Sequence, residues 1–276
     1  MKATKTHTLT FFSLLIMILQ ANACHASNNS TNSMPEQLIG QWLVTDVKIN
    51  TNSMRTQEYH YNDPRLAGRV FTFSRGSITD NTPESEKCTT PVFKKSRMLA
   101  ADLWTKSMGA TADDAPPTPY DYELSIKKQS EIEVNFFACI EGLYGGALGI
   151  PEGIEGAWLV SLDTDQFALR WYGETILILK KISQDQMPVA SFNCSKAGTE
   201  TEKTICGSIA LAAYDKSLAK AYISTLKHLR LEGDQNALQQ FKQSQKDWLK
   251  RRNACGKDIK CLQKIMQDRL NVIFDR

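Results

Sequence analysis

The chain has 276 residues, 42% of them hydrophobic and 23% charged, a composition that excludes a disordered or collagen-like polymer. Its formal charge of +3 conceals an asymmetry. Ser27–Met187 hold 15 Lys+Arg against 21 Asp+Glu, net −6, whereas Pro188–Arg276 hold 16 against 9, net +7, which predicts two modules with different surfaces.

The chain begins MKATKTHTLTFFSLLIMILQANA. Two lysines lead an apolar run that ends in small residues, the pattern of a secretory signal peptide over residues 1–26, cut after Ala23 or Ala26. The run is about half the length of a membrane span, and no later stretch is apolar enough to cross a bilayer. Cys24 is a candidate for lipidation, although Ala21-Asn22-Ala23 lacks the aliphatic residue a lipobox carries. The expected location is therefore exported and periplasmic, with a lipid anchor on Cys24 as the lesser alternative.

The first half is strand-like. Gln41–Ile49, Arg69–Ser74, Tyr122–Lys127, Glu131–Ala138, Ala157–Leu162, Gln166–Tyr172 and Thr175–Lys181 show alternating or short apolar runs bounded by turn residues. About eight short strands predict an antiparallel barrel or sandwich over residues 35–185. The gap from Ile78 to Tyr120 is too long for a bare loop. Within it, KKSRMLAADLWTKSMG (Lys94–Gly109) places Met98, Leu99, Leu103 and Trp104 at helical spacing, so one helix is expected between the strands. Gly40-Gln41-Trp42 opens the first strand as in lipocalin-like barrels, a resemblance that implies a Trp closing the barrel floor beneath a cation, here Arg170 or Lys180. Such a barrel can hold one small apolar ligand.

Residues 188–276 change period. Thr199-Glu200-Thr201-Glu202 is a capping box. Leu211, Tyr214, Leu218, Tyr222, Thr225 and Leu229 then recur at helical spacing up to Gly233. A second helix follows with Leu238, Phe241, Trp248 and Leu249, and a third with Ile259, Leu262, Ile265, Met266 and Ile273. Three amphipathic helices in so short a stretch have little core and need staples.

The cysteines supply them. Of the seven cysteines, a cut after Ala26 leaves an even set of six, Cys88, Cys139, Cys194, Cys206, Cys255 and Cys261, which favours disulfides in an exported chain. Four cysteines in the helical half allow three pairings. Proximity favours Cys194–Cys206 and Cys255–Cys261, leaving Cys88–Cys139 to cross-link the strands. The spacings match neither a zinc site nor a two-residue redox pair, so no metal and no cofactor is expected.

FNCSKAGTETEKTIC (Phe192–Cys206), AAYDKSLAKAY (Ala212–Tyr222), QKDWLKRRNAC (Gln245–Cys255) and CLQKIMQDRL (Cys261–Leu270) together resemble the LprI-type lysozyme inhibitor domain of bacterial envelope proteins. The shared features are the cysteine-flanked capping box, the aromatic-Asp pair on the first helix and the Trp-Leu-x-x-Arg stretch. The resemblance covers about the last eighty residues and implies a helical domain that acts by protein contact; with the strands before it, the expected chain is α+β, a barrel followed by a disulfide-stapled three-helix module.

Enzyme chemistry is not expected. His60 and His228, with His25 if cleavage is early, lie far apart, and neither a Gly-x-Ser-x-Gly elbow nor a His-Glu-x-x-His helix occurs. CIEGLYGGALGIPEGIEG (Cys139–Gly156) lacks the Lys-Ser/Thr of a phosphate loop. It reads instead as a protruding loop whose Glu141, Tyr144, Glu152 and Glu155 are candidates to enter a partner's cleft. Lys246, Lys250, Arg251, Arg252, Lys257 and Lys260 form a basic helix face, but export argues against nucleic acid as its partner. The expected function is inhibition or modulation of a lysozyme-like peptidoglycan hydrolase, the acidic half facing the basic enzyme. The alternative is a calycin-like carrier of a small ligand, with the helical domain as structural or tethering module.

Overall fold

The computed structural model describes residues 33–53, 56–84, 87–109, 115–141 and 157–274. The signal-peptide stretch and Cys24 lie outside them. Eight strands run as β1 (Gly40–Lys48), β2 (Val70–Ser74), β3 (Ser77–Asp80), β4 (Lys87–Leu99), β5 (Glu131–Glu141), β6 (Ala157–Asp163), β7 (Gln166–Trp171) and β8 (Thr175–Lys181). Each pairs antiparallel with its sequence neighbour, and β1 pairs with β8, so the sheet closes into a barrel.

Alternation decides what fills it. Trp42 and Val44 of β1 point inward, and a bulge between Val44 and Asp46 resets the phase so that Val47 also faces in. The interior is packed with aromatic rings, including Trp42 against Phe167 at 5.0 Å, Phe71 against Trp171 at 5.2 Å and Phe93 against Phe137 at 5.4 Å. The Trp42 indole donates to the Leu38 carbonyl at 2.7 Å. The cation over its ring is Lys181, 5.3 Å away, and neither Arg170 nor Lys180. The two-residue period sends Arg170 and Lys180 to the outer face, because their neighbours Leu169, Trp171 and Leu179 face inward.

The outer face of β5–β8 is buried as well. Helix α1 (Ala100–Ser107) lays Leu103 and Trp104 over Val134, Trp158, Ala168 and Ile178. Trp104 and Trp158 pack at 5.1 Å with their rings inclined by 58°, and the Trp158 indole donates to the Ser107 hydroxyl at 3.1 Å. The helix is shorter than its apolar spacing predicts: Lys94–Leu99 belong to β4, whose ladder with β5 satisfies their backbone. Tyr122–Lys127 is not a strand. A capping box between Thr118 and Asp121 instead starts a 3-10 turn over Pro119–Tyr122, and Glu123 leaves it at φ 55°. β3 and β4 escape the pattern because β3 is four residues long and β4 carries Pro91 and exposed Lys87, Lys94 and Lys95.

The C-terminal part holds four helices rather than three, α2 (Glu200–Cys206), α3 (Ile209–Glu232), α4 (Gln235–Ala254) and α5 (Ile259–Phe274). The expected first helix breaks at Gly207-Ser208, where the Ser208 hydroxyl caps α3 by accepting from the Leu211 amide at 3.3 Å. The Thr199–Glu202 capping box forms, and the amides of Thr199 and Gly198 hold the Glu202 carboxyl below its ordinary pKa. Gly233 closes α3 in the left-handed region at φ 77°. Disulfides join Cys88 to Cys139, Cys194 to Cys206 and Cys255 to Cys261.

Thr31–Arg276 form one compact unit, so the barrel and the helices touch. Arg69, fully buried just before β2, lies 3.3 Å over the Tyr214 ring of α3, and burial lowers its pKa to about 10. Its Nη2 donates to the Ser217 hydroxyl at 3.2 Å, which in turn reaches the Ala67 carbonyl at 2.9 Å. The Tyr214 hydroxyl donates to the Asn81 carbonyl. Arg65 sits between the rings of Tyr59 and Phe274, 4.6 and 4.9 Å away, while it pairs with Asp63 at 2.7 Å.

Gly68 makes this approach feasible. It has φ +82°, and a Cβ there would stand 3.1 Å from the Ala213 Cβ of α3. Gly68→Val is expected to destabilise the protein by about 2 kcal/mol, from the left-handed backbone and the clash together. Urea unfolding checks this, and a change below about 0.5 kcal/mol, ordinary for a surface position, would contradict the close packing.

Candidate functional site

Of the residues that carry the LprI resemblance, Tyr214, Asp215, Trp248 and Arg252 are buried and bear on structure. Tyr214 faces the barrel junction. Asp215 turns the other way, where its Oδ1 lies 3.4 Å from Nη1 of Arg252 and its Oδ2 accepts from the Ser191 amide and hydroxyl at 2.8 and 2.5 Å. Both side chains of this ion pair are over nine-tenths buried. Arg252 also donates to the Asn253 side chain at 2.9 Å, and the Asn253 carbonyl accepts from Thr201 at 3.1 Å, linking α2 to α4. Burial lowers the Arg252 pKa, against the opposing pull of Asp215 and Glu202. The Trp248 indole donates to the Ile265 carbonyl at 3.1 Å, joining α4 to α5.

Arg252 therefore leaves the expected basic face. Lys246, Lys250, Arg251, Lys257 and Lys260 remain exposed. Helical spacing alone could not separate Arg251 from Arg252; the deciding signal is Asp215, thirty-seven residues away in sequence.

The histidines do not meet. His60 is exposed beside Phe274, at 6.2 Å, and His228 pairs with Glu232 at 3.1 Å on α3. Among the described residues, no group of three His, Cys, Asp or Glu side chains is placed to hold a metal ion.

Of the candidate loop, Glu141 closes β5 opposite Thr89, while Tyr144, Glu152 and Glu155 lie outside the described residues. The root of that segment is well defined. Cys139, two residues before Glu141, is bonded to Cys88 of β4, and β6 takes up the chain at Ala157. A disulfide thus pins the strand from which the glycine-rich stretch leaves.

These features converge on one comparison. Residues 193–271 match the family model Lysozyme inhibitor LprI. The matched stretch begins at Asn193, whose side chain accepts from the Ser195 amide at 3.0 Å, and it runs through α2, α3 and α4 into α5. The matched stretch includes the Cys194–Cys206 and Cys255–Cys261 bonds and the Asp215–Arg252 pair. The barrel lies outside it. The description of that family names an inhibitor of lysozyme. Neither a curated protein nor a solved structure matches the chain. No described helix is long and apolar enough to cross a membrane. Three disulfides suit an oxidising compartment.

Sequence reasoning missed Arg69, Gly68 and Ser217. Nothing local distinguishes them, because each acquires its role only where the barrel meets α3.

Proposed function

We propose that this is an exported bacterial envelope protein that inhibits or modulates a lysozyme-like peptidoglycan hydrolase by protein–protein contact. The observation that carries the reading is the LprI domain at residues 193–271. Lysozymes are commonly basic, which favours contact through the acidic half, net −6, over the basic half. Glu141, Tyr144, Glu152 and Glu155 then supply the contact. The Cys88–Cys139 bond supports this by fixing the strand from which their segment leaves.

The test is muramidase turnover on cell walls with the full-length protein and a basic lysozyme. Concentration-dependent inhibition is expected, weakening as salt screens the contact. Tyr144→Ala combined with Glu152→Gln and Glu155→Gln is expected to raise the inhibition constant by about tenfold or more, with unfolding unchanged. No inhibition at stoichiometric excess overturns the reading. Full inhibition by the loop variant moves the contact onto the helices. A carrier with its ligand inside the barrel is not favoured, because aromatic side chains occupy that space.

A further inference from the structure

The junction between barrel and helices leaves a groove of about 520 Å³ that the inhibitor reading does not use. One wall is a single face of α3, where Ile209, Ala213, Lys216, Ser217 and Lys220 recur at helical spacing. Ala67 and Gly68 meet Ala213 and Ser217 at its floor, and Leu43, Val44 and Thr45 of β1 line the other side. Met187 and Val189 border it from the connecting segment, 76% and 62% exposed, and they are among the most exposed large apolar side chains of the described residues.

The groove changes character along its length. Its first part, at Ile209 and Ala213 beside Met187 and Val189, is mainly apolar, with the Gln186 amide as a polar neighbour. Lys216 and Lys220 come next; both are exposed, and neither has an ion-pair partner among the described residues. Lys220 also lines the adjoining hollow, of about 340 Å³, where His60, Tyr61, Ser224 and Thr225 present polar groups. From Ile209 to Lys220 the helix rises about 16 Å, the reach of an extended acyl chain of roughly a dozen carbons. Concave sites at such junctions, mainly apolar with a few polar groups, are common places for small ligands.

We infer that this groove binds a single-chain anionic amphiphile of the fatty-acid class. The acyl chain lies on Ile209, Ala213, Met187 and Val189, and the acid group sits between Lys216 and Lys220. Charge complementarity selects the anion, and the apolar stretch selects the chain. The ligand place is outside the barrel, so the filled barrel interior is no obstacle. The inference does not rest on lysozyme inhibition.

The experiment is calorimetric titration of the full-length protein with dodecanoate below its micellar concentration. Butyrate tests the need for the chain, and dodecyltrimethylammonium tests the need for the anion. Dodecanoate alone is expected to bind. Lys216→Glu with Lys220→Glu, and separately Val189→Asp, are each expected to weaken binding by about tenfold. All three positions are exposed, and an unchanged unfolding midpoint confirms that the fold is kept. Equal binding of the ammonium amphiphile, equal affinity in both variants, or no dodecanoate binding would overturn the inference. Lysine-dependent binding of polyglutamate in place of dodecanoate would overturn it in favour of an acidic protein segment.

Discussion

Arg252→Ala is expected to destabilise the protein by about 4 kcal/mol, because it leaves the Asp215 carboxylate buried without its counter-charge. For a chain of this size that corresponds to a fall of about 10 °C in the unfolding midpoint. Asp215 retains its two bonds from Ser191, which satisfy one oxygen and not the charge. Arg252 also packs over Trp248, 5.5 Å from the ring, so some loss is of contact rather than charge. A double-mutant cycle separates the two. Arg252→Met with Asp215→Leu is expected to cost well under the sum of the single changes, since replacing both partners removes the desolvated charges together. An Arg252→Ala penalty below about 1 kcal/mol, the range of exposed pairs, would show that the pair is open to water.

Reduction of the disulfides is the second large effect. On the chain-entropy account, the fifty-one-residue separation of Cys88 and Cys139 is worth about 4 kcal/mol, Cys194–Cys206 about 3 and Cys255–Cys261 about 2. Their total is comparable with the whole net stability of a typical domain, on the order of 5–15 kcal/mol. Full reduction is therefore expected to unfold the protein, or to bring its urea midpoint close to zero. Paired Cys→Ser replacements should rank in the order of loop length, with Cys88→Ser/Cys139→Ser the most damaging. If the proposed function holds, the same pair should also weaken lysozyme inhibition in protein that remains folded, because it holds the strand from which the glycine-rich segment leaves. A urea midpoint indifferent to complete reduction would show that apolar packing alone sustains the fold.

The helical half was largely legible. Thr199–Glu202 announced a capping box because the motif is local, each side chain satisfying a donor three residues away. The break at Gly207-Ser208 was written there as well, as a poor helix former followed by a good cap, but the continuing apolar period concealed it. In the barrel, Trp42 read correctly as a core residue, whereas the cation over it did not. Lys181 and Lys180 are adjacent, and only the strand register says which one points inward. Met98 and Leu99 fitted a helical period and a strand end equally well, and the partner strand β5 decided.

By itself the sequence determined the apolar periods, the capping signals and a set of six cysteines suited to short and long bridges. These depend on interactions within a few residues, or on the chemistry of a compartment, and both can be read along the chain. Only the tertiary structure decided that β8 returns to β1, that Arg252 turns inward to Asp215, and that Arg69 lies under Tyr214. Those contacts join residues far apart in sequence. Their energies come from burial and pairing with partners that no local pattern names, so they exist only once barrel and helices have closed on each other.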